Sequence, residues 1–251
     1  LIKELNKSKA KLLPVDSEHN AIFQVFETHN KSHLDRLILT ASGGPFRDCT
    51  LEEMKDKSPT EALAHPNWNM GEKISIDSAT MMNKGLEIIE AHYLFGVKEP
   101  VIDVVIHPQS IVHSLVSYSD GSVLAQLAQP DMKIPIAYTL SWPKRMNINM
   151  SRLDLAKVGL LEFYDPDVEK FPALRLARES INLGGSACLV LNAANEIAVA
   201  GFLAGKIRFT DIVTLVEKVL EKNIESAPKS IEEVILMDTE VRKFTESIVG
   251  A

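Results

Sequence analysis

The chain has 251 residues, 45% hydrophobic and 24% charged, with a formal net charge of −7. This is ordinary globular make-up, enough for one large or two smaller folded units. The acidic balance, unrelieved by any basic cluster, excludes a nucleic-acid binder. No apolar run approaches the ~20 residues that span a bilayer. Two distant cysteines, Cys49 and Cys188, exclude a disulfide or zinc framework and point to a reduced, cytoplasmic setting.

In chain order, residues 1–13 read as the tail of a basic amphipathic helix carrying Lys3, Lys7, Lys9 and Lys11 and running into Pro14. With Leu rather than Met at position 1, the expectation is the C-terminal part of a longer protein. Next comes an apolar run ending in Asp16-Ser17-Glu18. In an extended segment residues i and i+2 share a side, so the two carboxylates converge on one point with Ser17 turned away. Like charges that close repel unless a cation sits between them, and oxygen ligands suit Mg2+ or Mn2+. The plain alternative is two solvated charges at a strand end.

A helix is expected over 20–26 and a short buried strand over 37–40. The strand ends at Ser42-Gly43-Gly44-Pro45, where glycines permit a tight backbone with N–H groups exposed to an anion. Helical turns are expected at 51–54 and 59–63, a loop over 64–71 and a short strand at 75–78. The helix expected over 79–95 carries Met82, Leu86, Ile89 and Tyr93 at core-facing spacing. Asn83, Glu87 and Glu90 form a polar stripe beside them.

Strands over 101–106, 111–118 and 122–127, joined through the Ser119-Asp120-Gly121 turn, read as an antiparallel meander suited to self-association. A helix follows over 134–140, and 145–172 reads as a surface linker. Four helices over 174–181, 187–203, 210–220 and 231–249 suit a small bundle. Thr210 is expected as an N-cap, and Ser230 with Glu233 as a capping box. The fold class is therefore α+β: a catalytic domain (1–144) with a mixed or antiparallel sheet and helices, a linker (145–172) and a C-terminal helical bundle (173–251).

The chemistry lies in a set of residues, since no single nucleotide-binding or nucleophile motif is present. Asp16 and Glu18 supply two carboxylates, and Glu87 can supply a third from a helix face. Ser42, Ser78, Asn83 and Lys84 offer hydroxyls, an amide and a cation that can surround a phosphate. Ser78 is also expected where a helix starts, with free N–H groups. The loop with His65, Trp68 and Met70 can close as a lid. Each piece has a plain counterpart: Ser78 as a simple cap, Glu87 and Lys84 as a solvated surface pair, His107 and His113 as structural histidines, Trp68 as a hydrophobic plug. Asn192, Asn195 and Glu196 are polar where core is expected, and a structural hydrogen-bond network is the favoured reading.

Taken together, these segments closely resemble the 1-deoxy-D-xylulose 5-phosphate reductoisomerase family. The matching motifs are Leu-Pro-Val-Asp16-Ser-Glu18-His-Asn, Ser42-Gly-Gly-Pro-Phe-Arg47, His65-Pro-Asn-Trp-Asn-Met70-Gly71, Ile76-Asp-Ser-Ala-Thr-Met-Met-Asn-Lys84-Gly-Leu-Glu87, Ile106-His-Pro-Gln-Ser110, Asp120-Gly-Ser-Val-Leu-Ala125, Pro130-Asp-Met132 and Leu191-Asn-Ala-Ala-Asn-Glu196. They span nearly the whole chain in order.

The resemblance implies an NADPH-dependent enzyme that isomerises and reduces 1-deoxy-D-xylulose 5-phosphate to 2-C-methyl-D-erythritol 4-phosphate in the non-mevalonate isoprenoid pathway. It implies that Asp16, Glu18 and Glu87 ligate Mg2+ or Mn2+, and that Ser17 contacts substrate. Ser42, Ser78, Asn83 and Lys84 would hold the phosphate, with His65 closing over it, and Gly71, Pro130 and Met132 would line the nicotinamide side. His113 matches a further family histidine. A cytoplasmic (or plastid stromal) homodimer with no nucleic-acid or membrane partner is implied. Family members also carry an N-terminal Rossmann-type NADPH domain that this sequence does not include, so the chain by itself is expected not to turn over NADPH. A metal-dependent aldolase or phosphatase of sugar phosphates, and a non-catalytic oligomerisation module, are the competing readings.

Overall fold

The computed structural model describes residues 2–250; positions 1 and 251, the outer limits of the expected domains, lie outside them. Contacts group the chain into two compact units, each discontinuous in sequence: residues 1–42 with 90–165, and residues 43–89 with 166–251. The class is α+β, a mixed sheet in the first unit and a helical bundle in the second.

The first unit opens with α1 (Ile2–Lys7), which stops at Lys7 rather than running on to Pro14. After an irregular stretch comes α2 (Ser17–Val25), a 3-10 turn (Thr28–His33) and β1 (Leu34–Ala41). Here the expected extended geometry of 16–18 is corrected. Asp16 is the N-cap of α2, its side chain accepting from the Glu18 amide at 3.3 Å, and Glu18 lies in the first helical turn. An Asx cap satisfies a helix-start donor that an extended strand end would leave to solvent.

Four strands form the sheet in the order β2-β1-β3-β4: β1, β2 (Ile102–Ile106), β3 (Val112–Tyr118) and β4 (Val123–Leu127). The expected meander holds only for β3 and β4, which pair antiparallel across the Asp120-Gly121 turn. β2 pairs parallel with β1, Leu39 opposite Val104, and β1 pairs antiparallel with β3, Leu39 opposite Ser114. Short loops favour hairpins, whereas β1 and β2 are joined by a long excursion, the condition for a parallel pair. Leu37, Leu39, Ile102 and Val116 are fully buried, and α2 packs on β3 and β4. After β4, α7 (Lys133–Ser141) packs against α2. The stretch expected as linker carries one helical turn, α8 (Leu155–Val158), and is pinned where Tyr164 bridges Ile106.

The second unit contains α3 (Leu51–Lys55) and α4 (Pro59–Leu63), each opened by a full capping box, Thr50 with Glu53 and Ser58 with Glu61. The expected strand at 75–78 is instead helix α5 (Glu72–Ala79). Lys73 pairs with Asp77 one turn on at 2.5 Å, and the Ser75 hydroxyl donates back to the Gly71 carbonyl. These i,i+4 links override the short β-branched pattern Ile74-Ser75-Ile76. Thr80 and Met81 then break the helix, Met81 with φ 62°, before α6 (Met82–Phe95) begins. Along α6, Met82 and Ile89 are buried as expected, but Tyr93 is exposed.

The bundle is α9 (Ala173–Leu183), α10 (Ala187–Leu203), α11 (Asp211–Asn223) and α12 (Ile231–Val249). The central α10 packs against α9, α11, α12 and α5. Its small residues Ala193, Ala194 and Ala198 are fully buried, which lets neighbouring helices approach closely. Phe209 stacks edge-on against Phe202 and Phe46. Thr210 holds the N-cap position of α11 without a capping bond, and at α12 half of the expected box forms: the Ser230 side chain accepts from the Glu233 amide, while Glu233 accepts from Lys229.

Candidate functional site

In the first unit the sequence-singled residues cluster at the start of α2. Asp16, Ser17 and Glu18 are all partly exposed, and the Ser17 hydroxyl donates to Glu18 Oε2 at 2.5 Å. The residue that sequence reasoning missed is His19. Its ring is buried, with Nδ1 3.9 Å from Asp16 Oδ2 and 3.4 Å from Glu90 Oε2. One ligand atom from each of Asp16, His19 and Glu90 lies within 4.8 Å of the other two. The i,i+3 spacing of Asp16 and His19 was the available signal, hidden once residues 16–18 were read as extended.

Two further histidines singled out from the sequence lie in this unit. His107 is fully buried, its Nδ1 against the Glu162 carbonyl at 2.8 Å and its ring stacked on Phe163. Burial pushes its pKa down, partly offset by Glu162. His113 is buried on β3. Ser42 follows β1, and Met132, at the N-cap of α7, is exposed.

In the second unit, Asn83, Lys84 and Glu87 lie in the first turns of α6. Glu87 is 1% exposed and Lys84 4% exposed, so the solvated surface pair is not what forms. Lys84 Nζ lies 2.6 Å from Glu87 Oε2, and Asn83 Nδ2 donates to Glu87 Oε1 at 2.7 Å. Both carboxylate oxygens are thus met by donors, the arrangement a buried charge requires. A lysine ammonium carries three donors and an amide two, the donor types that bind an anion.

Ser78 does not sit at a helix start. It lies in the last turn of α5, so the expected free N–H groups are engaged in that helix, and its side chain is partly exposed. Gly44, with φ 69°, runs so close that a Cβ there would stand 2.5 Å from the Ser78 carbonyl oxygen. The turn 42–45 therefore serves close packing as well as a tight backbone. The 64–71 segment is a loop as expected, and His65 is half-buried in it. Its Nδ1 accepts from the backbone N–H of Asn67 at 3.2 Å and of Trp68 at 3.0 Å, and burial lowers its pKa. Gly71 is the exposed N-cap of α5. Asn195 enters a network, as expected, donating to Asp77 Oδ1 at 2.8 Å. Asp77 itself escaped notice because 75–78 read as a strand.

A lysine–carboxylate pair buried on one helix, and histidines whose pKa burial lowers, are features that cluster at functional sites. A family model described as the 1-deoxy-D-xylulose 5-phosphate reductoisomerase C-terminal domain matches residues 12–95, and one described as the DXP reductoisomerase C-terminal domain matches residues 127–244. The chain belongs to the 1-deoxy-D-xylulose 5-phosphate reductoisomerase family and corresponds to its C-terminal catalytic and helical regions. It is 54% identical to the reductoisomerase of Zymomonas mobilis, over 96% of this chain and 62% of that protein, and 53% identical to that of Chlorobium limicola, over 100% and 66%. The chain thus spans just under two thirds of the length of these relatives. Among solved structures, the Zymomonas mobilis enzyme in complex with NADPH superposes with a TM-score of 0.93 at 50% identity, covering 100% of this chain and 64% of that one. A DOX-P reductoisomerase complex with NADPH, fosmidomycin and magnesium gives 0.92 at 47% identity, covering 99% and 66%.

Proposed function

We propose that this chain carries the metal- and phosphosugar-binding part of an enzyme that isomerises and reduces 1-deoxy-D-xylulose 5-phosphate to 2-C-methyl-D-erythritol 4-phosphate with NADPH. The observation that carries the reading is the Asn83–Lys84–Glu87 cluster on α6, with Lys84 and Glu87 buried, in a chain more than half identical to reductoisomerases.

Asp16, Glu18 and Glu87 would hold Mg2+ or Mn2+. Their donor set fits, since all are carboxylate oxygens and such hard donors suit these hard cations. A bound divalent ion supplies Lewis-acid polarisation of a ketone and its neighbouring hydroxyl, and NADPH supplies hydride. The chain's own residues bind, orient and shield. Lys84 and Asn83, with Ser78 and Ser42, would hold the phosphate, a remote handle whose binding energy fixes the reacting carbons in place. Ser17 and Glu18 would contact the sugar. His65, kept neutral by burial, would present its Nε2 hydrogen to an anion, because Nδ1 is occupied as an acceptor by the Asn67 and Trp68 amides. Closure of the 65–70 loop would exclude water from the reacting groups. Gly71 and Met132 would face the nicotinamide. A cytoplasmic or plastid-stromal homodimer belongs to the same reading, and among the described residues no helix is long and apolar enough to cross a membrane.

Calorimetric titration of the substrate into the chain, with and without Mn2+, tests this. Binding that requires Mn2+ and weakens in Glu87→Gln is the expected result. Metal-independent binding, or equal binding by Glu87→Gln, refutes the ligand assignment.

A further inference from the structure

Asp77 is 1% exposed and Asn195 fully buried, and neither is among the residues assigned above to ligand binding. Burying a carboxylate is costly unless it is paired and hydrogen-bonded. Here Lys73 Nζ, one turn earlier on α5, lies 2.5 Å from Asp77 Oδ2, and Asn195 Nδ2, on α10, donates to Asp77 Oδ1 at 2.8 Å. Among the described residues, Asn195 Oδ1 has no partner. The buried amide is thus oriented by its bond to Asp77 and satisfies only that carboxylate. The chain of contacts continues outward: Glu196, next in sequence, meets Arg242 of α12 at 2.7 Å, and Arg242 also holds Asp238 at 2.6 Å.

The other end of this tether is Ser78. Its preceding side chain is fixed to the bundle, and its carbonyl oxygen has the Gly44 backbone so close that no side chain fits between them. Ser78 is therefore clamped from two directions while its own side chain stays partly exposed.

We infer that Asn195 is a positioning residue: acting through Asp77, with Lys73, it fixes Ser78 of α5 for the substrate phosphate, so that the helical bundle contributes to substrate affinity without touching substrate. The inference rests on the reading of Ser78 as a phosphate contact.

Kinetics of the intact protein test it, with 1-deoxy-D-xylulose 5-phosphate as substrate and inorganic phosphate as competitive probe. Loss of a partner that orients a binding group costs about 10-fold or more, and removal of uniform binding raises KM at constant kcat. Asn195→Ala should raise KM and the phosphate inhibition constant together by about tenfold, with kcat within about threefold. Should Asn195→Ala fail to fold, Lys73→Met removes the partly exposed partner and should move both constants the same way. A folded variant with unchanged KM overturns the inference. A wild-type protein indifferent to phosphate overturns the functional reading and this inference with it; a sensitive wild type beside an Asn195→Ala protein with the same phosphate inhibition constant overturns this inference alone.

Discussion

The start of α2 and the first turns of α6 both gather carboxylates, yet they stand in opposite physical states. Asp16 and Glu18 are partly exposed and are met by an Asx cap bond and the Ser17 hydroxyl. Glu87 is buried and is met by an ammonium and an amide. Exposed carboxylates are solvated and cost little to keep, so their presence reports little about the fold. A buried ion pair is a poor route to stability, because desolvation offsets most of the attraction. Its presence on α6 is therefore better explained by chemistry than by folding. The two clusters should respond differently to the loss of one member.

The largest difference is expected from Lys84→Met. It leaves Glu87 buried without its cation, and breaking such a pair costs about 3–5 kcal/mol. A large fall in melting temperature, accompanied by loss of turnover in the intact protein, is the expected outcome. Glu18→Gln removes a carboxylate of the other cluster and should change stability by no more than about 0.5 kcal/mol, while still abolishing Mn2+-dependent binding. Equal stability losses from the two substitutions, measured by urea unfolding, would break the contrast.

A middle-sized effect separates two glycines of the second unit. Gly44 combines φ 69° with a Ser78 carbonyl oxygen that would stand 2.5 Å from any added Cβ, whereas a Cβ added at Gly71 would meet none of the described residues within 4 Å beyond its chain neighbours. Gly44→Ala should cost about 1–3 kcal/mol, through a strained backbone and a displaced α5 end. Gly71→Ala, at ordinary φ, should be neutral or stabilise by up to about 1 kcal/mol by restricting the unfolded chain. Denaturant midpoints decide, and a Gly44→Ala protein as stable as Gly71→Ala would show that the turn does not clamp Ser78.

Much of this was legible in the residues. The 187–203 helix and the Asp-Gly turn are local events, written in spacing and turn chemistry. The resemblance placed the family because whole motifs recur in order. What escaped depends on distant partners. That β2 pairs parallel with β1 is set by the long excursion between them, not by any feature of 102–106. Burial of Glu87 and Lys84 is invisible in a helical stripe, since polar stripes usually face water. Residues 75–78 read as a strand because Ile alternates with polar residues; the helix there is supported by Lys73, Asp77 and Asn195, the last 118 positions away.

The smallest expected effect concerns acid, and again separates buried from exposed groups. Burial holds the His65 and His107 rings below the ordinary histidine value of 6.5. The unfolded chain then binds protons at a higher pH than the folded one, so stability falls as pH falls. It should be complete above pH 6.5 and lost as pH drops through the depressed folded-state values. His65 carries a second consequence. A protonated Nδ1 cannot accept, so the bonds from the Asn67 and Trp68 amides would both be lost and the 65–68 turn would open. His65→Gln removes one of these two rings and should flatten, without abolishing, the decline of the urea midpoint between pH 7 and pH 5 (a range bracketing the free imidazole). Hydrogen exchange at the Asn67 and Trp68 amides should accelerate in wild type over the same range, beyond the change seen at the α10 amides. A decline of the midpoint as steep in His65→Gln as in wild type would show that His65 does not carry the acid sensitivity, and would leave the 65–70 loop indifferent to pH.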